Sequence, residues 1–179
     1  YTVKKFYMNE TGTDWMAPVD DVRYGTTGAT VTLDFEKEAA EGFTIDETNS
    51  SKSATIAGDG NTVLVIYYNR DKQNVTINGK TEEKFYGEVI TTPETPDAEP
   101  GYEFGGWVDE DDKPVEFPVT VGTEDIVIKP VWNKVSYNLT FKDAKGNVIS
   151  GPVKTEFDAD ITAPEVDDKE GYTFVGWIA

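Results

Sequence analysis

The chain has 179 residues, 37% hydrophobic and 12% aromatic, with 34 acidic against 16 basic side chains and a formal charge of −18. That balance argues against nucleic acid, where Lys and Arg neutralise phosphates, and against docking on anionic lipid. Cysteine and histidine are both absent, which excludes disulfide frameworks, zinc–thiolate sites, thiol nucleophiles and histidine-based catalytic triads.

The modest apolar share does not mean disorder. Disordered chains are poor in aromatic and β-branched residues, and this one is rich in Val, Thr, Ile, Tyr and Phe. Small modules leaning on a few aromatic anchors fit both numbers, because each ring buries a large apolar area.

From the start of the chain, Val3–Met8 reads as a strand. Asp14–Tyr24 follows, carrying Trp15, Met16, Val19 and Val22. Gly25-Thr26-Thr27-Gly28 is a turn. Ala29–Phe35 alternates, with Val31, Leu33 and Phe35 on one face. Glu36–Glu41 is the one good helix-forming stretch and predicts one or two helical turns. Gly42-Phe43-Thr44 is a glycine–aromatic step. Ala57-Gly58-Asp59-Gly60-Asn61 signals a hairpin. Thr62–Tyr68 is the most hydrophobic run and predicts the central strand of its sheet.

Beyond residue 72 the chain repeats itself. Glu94–Trp107 and Glu165–Trp177 share the core Gly-Tyr-x-Phe-x-Gly-Trp, at Gly101–Trp107 and Gly171–Trp177. The flanks agree as well. Ile90-Thr91-Thr92-Pro93 matches Ile161-Thr162-Ala163-Pro164, and Val75-Thr76-Ile77 matches Leu139-Thr140-Phe141. Two copies about 70 residues apart mark a repeat architecture. The first copy continues through a polar turn at Asp109–Pro114, an alternating run at Val115–Val121 and a strand at Ile126–Trp132. The second copy shows no counterpart of the last two strands. The amides of Tyr137–Ala179 are therefore expected to exchange faster than those of Val75–Trp132.

The expected class is mainly β, α+β at the margin: small β-grasp-like modules in tandem, spanning 1–72, 73–134 and 135–179. The short junctions at Asn69–Asn74 and Asn133–Ser136 predict a stiff, extended array. No stretch reaches the length of a transmembrane helix and no signal peptide opens the chain. The expectation is thus an internal part of a longer exported protein.

Residues 1–72 resemble the mucin-binding-protein (MucBP) repeat of Gram-positive adhesins. The carriers are Tyr1-Thr2-Val3-Lys4, Gly25–Gly28, Glu41-Gly42-Phe43 and the segment from Ala57 through Val63 to Arg70. The later copies resemble the Listeria–Bacteroides repeat, also called the internalin B-repeat. The carriers there are the Gly-Tyr-x-Phe-x-Gly-Trp motif and the closing Lys129-Pro130-Val131-Trp132. Both resemblances imply ubiquitin-like β-grasp modules of surface proteins, serving adhesion or spacing. Neither supplies a ligand-contacting motif that can be carried over residue by residue.

Little else carries chemistry. Ser51-Lys52-Ser53 is a Ser–Lys pair on paper, in a polar loop. Paired carboxylates could serve glycoside hydrolysis, but with 34 acids close pairs arise by chance, and small modules rarely hold a pocket. Asp109–Asp112 lacks the calcium-loop spacing and reads as a solvated turn, Asp158–Asp160 and Asp167-Asp168 more weakly still. Tyr102, Phe104, Trp107 and Trp132 could stack on sugars, but their repetition argues for core. A Lys–Asn isopeptide bond would need a buried carboxylate beside it.

No catalytic, cofactor-binding or metal-ligating residue is therefore named. The expected function is a non-catalytic stalk or spacer of the cell surface, with adhesion to host or neighbouring-cell proteins or glycans. The alternative is a module of a secreted carbohydrate-active or other enzyme. The expected chain is extracellular and wall-associated, monomeric, and free of nucleic-acid binding and membrane insertion.

Overall fold

A computed structural model describes residues 1–168 and 170–178. Lys169, in the flank of the second motif copy, and Ala179, the last residue of the expected third module, lie outside the described residues. The strands are β1 (Thr2–Tyr7), β2 (Val19–Val22), β3 (Thr30–Thr32), β4 (Phe43–Ile45), β5 (Ser53–Thr55), β6 (Val63–Arg70) and β7 (Lys72–Ile77). They continue with β8 (Lys80–Phe85), β9 (Val89–Ile90), β10 (Tyr102–Val108), β11 (Val119–Thr120), β12 (Ile126–Lys134), β13 (Ser136–Lys142) and β14 (Val148–Glu156). The fold is all-β, in several small sheets, with no helix among the described residues.

The first sheet runs β2-β1-β6-β4. β1 is antiparallel to β2 and parallel to β6, with Thr2 opposite Val63 and Tyr7 opposite Tyr68. As the apolar run predicts, β6 is interior. Its alternate residues Leu64, Ile66 and Tyr68 are all 0% exposed, because period two sends every second side chain to one face. Val3 and Leu33 complete that core, with Val31, Phe35 and Phe43 packed on it.

The second sheet has the same plan, β8-β7-β12-β10. β7 is antiparallel to β8 and parallel to β12, with Val75 opposite Ile126. Val75, Ile90 and Val121 form its buried cluster. β9 pairs with β11, β3 with β5, and β13 with β14. In the second motif copy β13 and β14 repeat the opening hairpin. Among the described residues of 161–178 no strand follows. β10 pairs with β12 and β9 with β11; among the described residues of 157–178 no strand stands as a counterpart of β11 or β12, and only Tyr172 has bridge geometry.

Three local expectations fail. Glu36–Glu41 makes a turn rather than a helix, with the amides of Lys37 and Glu38 both bonded to the Asp34 carbonyl. Six residues cannot repay the cost of helix nucleation, and Ala40 is drawn into a bridge with Phe43. The turn at Ala57–Asn61 closes no hairpin, because β5 pairs with β3 and β6 with β1 and β4. Val115–Val121 shrinks to the two residues of β11. Pro114 and Pro118 have no N–H to give a ladder.

The chain divides into two compact units, Tyr1–Glu94 with Trp107–Lys129, and Thr95–Gly106 with Pro130–Ala179. These units do not coincide with the sequence boundaries at 72 and 134.

Candidate functional site

The sequence motifs that suggested chemistry are engaged in the fold. Ser51 Oγ accepts the Val65 N–H at 3.1 Å, and Lys52 Nζ turns to Glu47 at 3.3 Å. Ser50 Oγ likewise accepts the Tyr67 N–H at 2.9 Å. The serines thus serve the backbone of β6. Asp109–Asp112 is a tight turn in which Asp109 Oδ1 accepts the amides of Asp111 and Lys113, at 3.0 and 2.9 Å. Lys113 and Lys129 pair with Asp111 and Asp112, each at 2.8 Å. Of the candidate sugar-stacking rings, Trp107 is buried, Phe104 meets Trp132 edge-on at 5.9 Å, and Tyr102 meets Phe157 at 5.8 Å. Among the described residues no three metal-ligating side chains gather. Two open surface hollows, of 420 and 380 Å³, lie against Val75, Ile77 and Ile90 and against Tyr137, Leu139 and Phe157.

A charged network that the sequence did not announce lies on the first sheet. Glu38, 9% exposed, holds Arg23 Nη1 at 2.6 Å and Lys5 Nζ at 3.0 Å. Asp21 holds Arg23 Nη2 at 2.6 Å and Lys5 at 3.4 Å. The hydrogen bond from Arg23, then those of Lys5, hold the Glu38 carboxyl below its ordinary value despite burial. Burial works to lower the Lys5 pKa, but the bond and charge of Glu38, then Asp21, outweigh it and raise it. An ammonium so held is a poor nucleophile, which disfavours an isopeptide bond at Lys5. The Tyr68 hydroxyl donates to the Glu38 carbonyl at 2.8 Å, and burial pushes its own ionisation up.

The most organised feature stands where one hairpin follows another sheet. β6 ends at Arg70, Asp71 intervenes, and β7 begins at Lys72. The Asp71 amide donates to the Gly42 carbonyl at 3.0 Å, and the Tyr86 amide donates to the Asp71 carbonyl at 2.9 Å. This seats the Tyr86 ring on Gly42 and edge-on to Phe43, centroids 5.9 Å apart. Gly42 has φ +74°, and a Cβ there would fall inside the Tyr86 ring. Only glycine satisfies both constraints. Arg70 locks the seat: it donates from Nη1 to Tyr86 O at 2.6 Å and from Nε to Asn9 O at 3.1 Å, and lies 5.0 Å over the Phe43 ring.

The same construction recurs where β12 ends at Lys134, Val135 intervenes, and β13 begins at Ser136. The Val135 amide donates to the Gly101 carbonyl, and the Phe157 amide to the Val135 carbonyl, both at 2.8 Å. Gly101 has φ +84°, and a Cβ there would fall inside the Phe157 ring. Each seat is thus a glycine followed by an aromatic residue. Each incoming ring sits just past the second strand of a hairpin, followed by a positive-φ residue, Gly87 or Asp158. The glycine–aromatic half was visible in the sequence. The incoming ring was missed, although Tyr86-Gly87 and Phe157-Asp158 are its signal.

Comparison with known proteins agrees with this repeat pattern. The family model of the Listeria-Bacteroides repeat domain matches residues 65–128 and 137–179, together more than half of the chain. Two relatives come from Evansella cellulosilytica. One, named "Putative membrane protein", is 32% identical over 94 residues, 51% of this chain and 14% of its own length. The other, named "Putative Gly-rich membrane protein", is 31% identical over 94 residues, 51% of this chain and 11% of its own. The chain thus matches only a small share of these relatives. No helix among the described residues is long and apolar enough to cross a membrane. No solved structure matches. The family is generally non-catalytic and typical of bacterial surface proteins. On the two matches, the chain belongs to the Listeria-Bacteroides repeat domain family.

Proposed function

We propose that this chain is a non-catalytic stalk segment of an exported, wall-associated surface protein of a Gram-positive bacterium, opening with a mucin-binding-type module at 1–72. The observation that carries the reading is the repeated seat. Two successive junctions each use a positive-φ glycine, an equivalent pair of backbone bonds and an incoming aromatic ring. A device that fixes each module on the last is what a spacer needs. Small-angle scattering tests it. A compact monomer of this length has a radius of gyration of roughly 16 Å. A stalk gives a clearly larger value, and a compact value overturns the reading.

A second reading is favoured by one surface. β2 is an edge strand with Val19 and Val22 exposed, and the neighbouring Tyr24 is 94% exposed. An open edge beside apolar side chains accepts a partner strand or protein surface. Adhesion through this edge to a host or neighbouring-cell protein would appear as saturable binding that Val19→Lys abolishes. A panel of host proteins and glycans that gives no saturable ligand removes adhesion and leaves the stalk.

A further inference from the structure

The two seats described above have a third member. Gly171-Tyr172 repeats Gly42-Phe43 and Gly101-Tyr102, and Gly171 has φ +78°, beside +74° and +84° at the other two. Here the seat is open. Among the described residues no atom beyond Gly171 and its chain neighbours lies within 4 Å of where a Gly171 Cβ would stand, and Tyr172 is 73% exposed. The segment is nonetheless held in place. Trp177 lies edge-on to Phe141 of β13 at 4.8 Å and to Phe174 at 5.5 Å, and the Phe174 amide bonds Asp168 at 3.3 Å.

We propose that Gly171 and Tyr172 form a docking seat for the aromatic side chain at the hairpin end of a further module of this same kind. The occupant follows from the two filled seats. Both take a ring from just past the second strand of a β-hairpin, Tyr86 and Phe157, and both glycine faces exclude any Cβ. The ring contacts the glycine face and the neighbouring aromatic edge, so Phe or Tyr serves equally. The proposal rests on the stalk reading, of which it is the connecting step.

The test is an extended chain in which Trp177 is followed by a second copy of residues 108–160, so that a copied Phe157 ring is offered to the seat. Tyr172 is read directly, by its ring proton resonances and its rate of nitration. Seating shifts the ring resonances upfield and slows nitration several-fold relative to the original chain. Replacing the appended Phe by Ala restores both, while the amide signals of the appended strands show that the extension is still folded. Gly171→Ala in the extended chain also restores both. If Tyr172 reacts and resonates identically in the original and extended chains, the proposal is overturned. If Tyr172 of the original chain becomes protected as its concentration rises, the occupant is a second copy, which also overturns it. Scattering of the original chain reports on the stalk reading separately, since it does not depend on Tyr172.

Discussion

At the residue scale, Glu38 is the group on which the first sheet most depends electrostatically. It is nearly buried between two cations, and removing its charge leaves both partly buried cations to Asp21 alone. Its pKa lies below the ordinary 4.5, chiefly through the hydrogen bond from Arg23. The sign follows from linkage. A depressed carboxylate contributes stability that is complete above its unfolded value and is lost as pH falls through the folded one. Glu38→Gln keeps the shape and removes the charge. It is expected to cost about 2 kcal/mol at neutral pH and to flatten the decline of stability below roughly pH 4.5. Urea unfolding across a pH series checks it. Parallel curves for the two proteins would show that the network does not govern acid stability. Nothing in the local sequence marked this cluster. Lys5, Asp21, Arg23 and Glu38 come from three separate segments, and only the β1–β2 register and the turn at Asp34 bring them together.

At the element scale, the second motif copy holds a hairpin without the parallel partner that the first two sheets possess. β1 has β6 and β7 has β12, whereas β13 pairs only with β14 among the described strands. Local opening is easiest where few buried contacts resist it. Residues 137–178 are therefore expected to exchange their amides faster than residues 75–132. Hydrogen exchange read by mass spectrometry decides it. Equal protection would mean that the free edge of β13 is covered by another chain. Much of this was legible in the sequence, because a buried strand imposes period two on its side chains. Val63–Tyr68 follows that rule, and Ile126–Trp132 is a strand whose buried residue is Ile128. The misreadings came where a local signal was right but its partner lay elsewhere. The turn at Ala57–Asn61 is real, stabilised by Asp59, yet turn chemistry says nothing about which strands pair. Helix propensity at Glu36–Glu41 lost to the contacts of Ala40 and Glu38.

At the scale of the whole chain, the stalk reading admits two sources of stiffness, charge and contact, and magnitudes separate the two. The charge of −18 is large, but at physiological salt the screening length is about 8 Å. Repulsion then acts weakly between groups a module apart. The seats act at contact distance and respond little to salt, since rings on glycine, backbone bonds and, in the first seat, hydrogen bonds from Arg70 to carbonyls carry them rather than ion pairs. Tyr86→Ala with Phe157→Ala empties both seats. Each loss is expected to cost about 1–2 kcal/mol while leaving the strands of each sheet paired. In the parent, residues 2–70 and 72–85 should share one rotational correlation time by amide relaxation, as should 130–134 and 136–156. In the double variant each pair should separate into two. The radius of gyration of the parent should hardly change between low and high salt, whereas that of the variant should contract as salt screens the repulsion its emptied junctions no longer resist. Equal salt sensitivity in the two proteins would place the stiffness in charge and remove the seats from the argument.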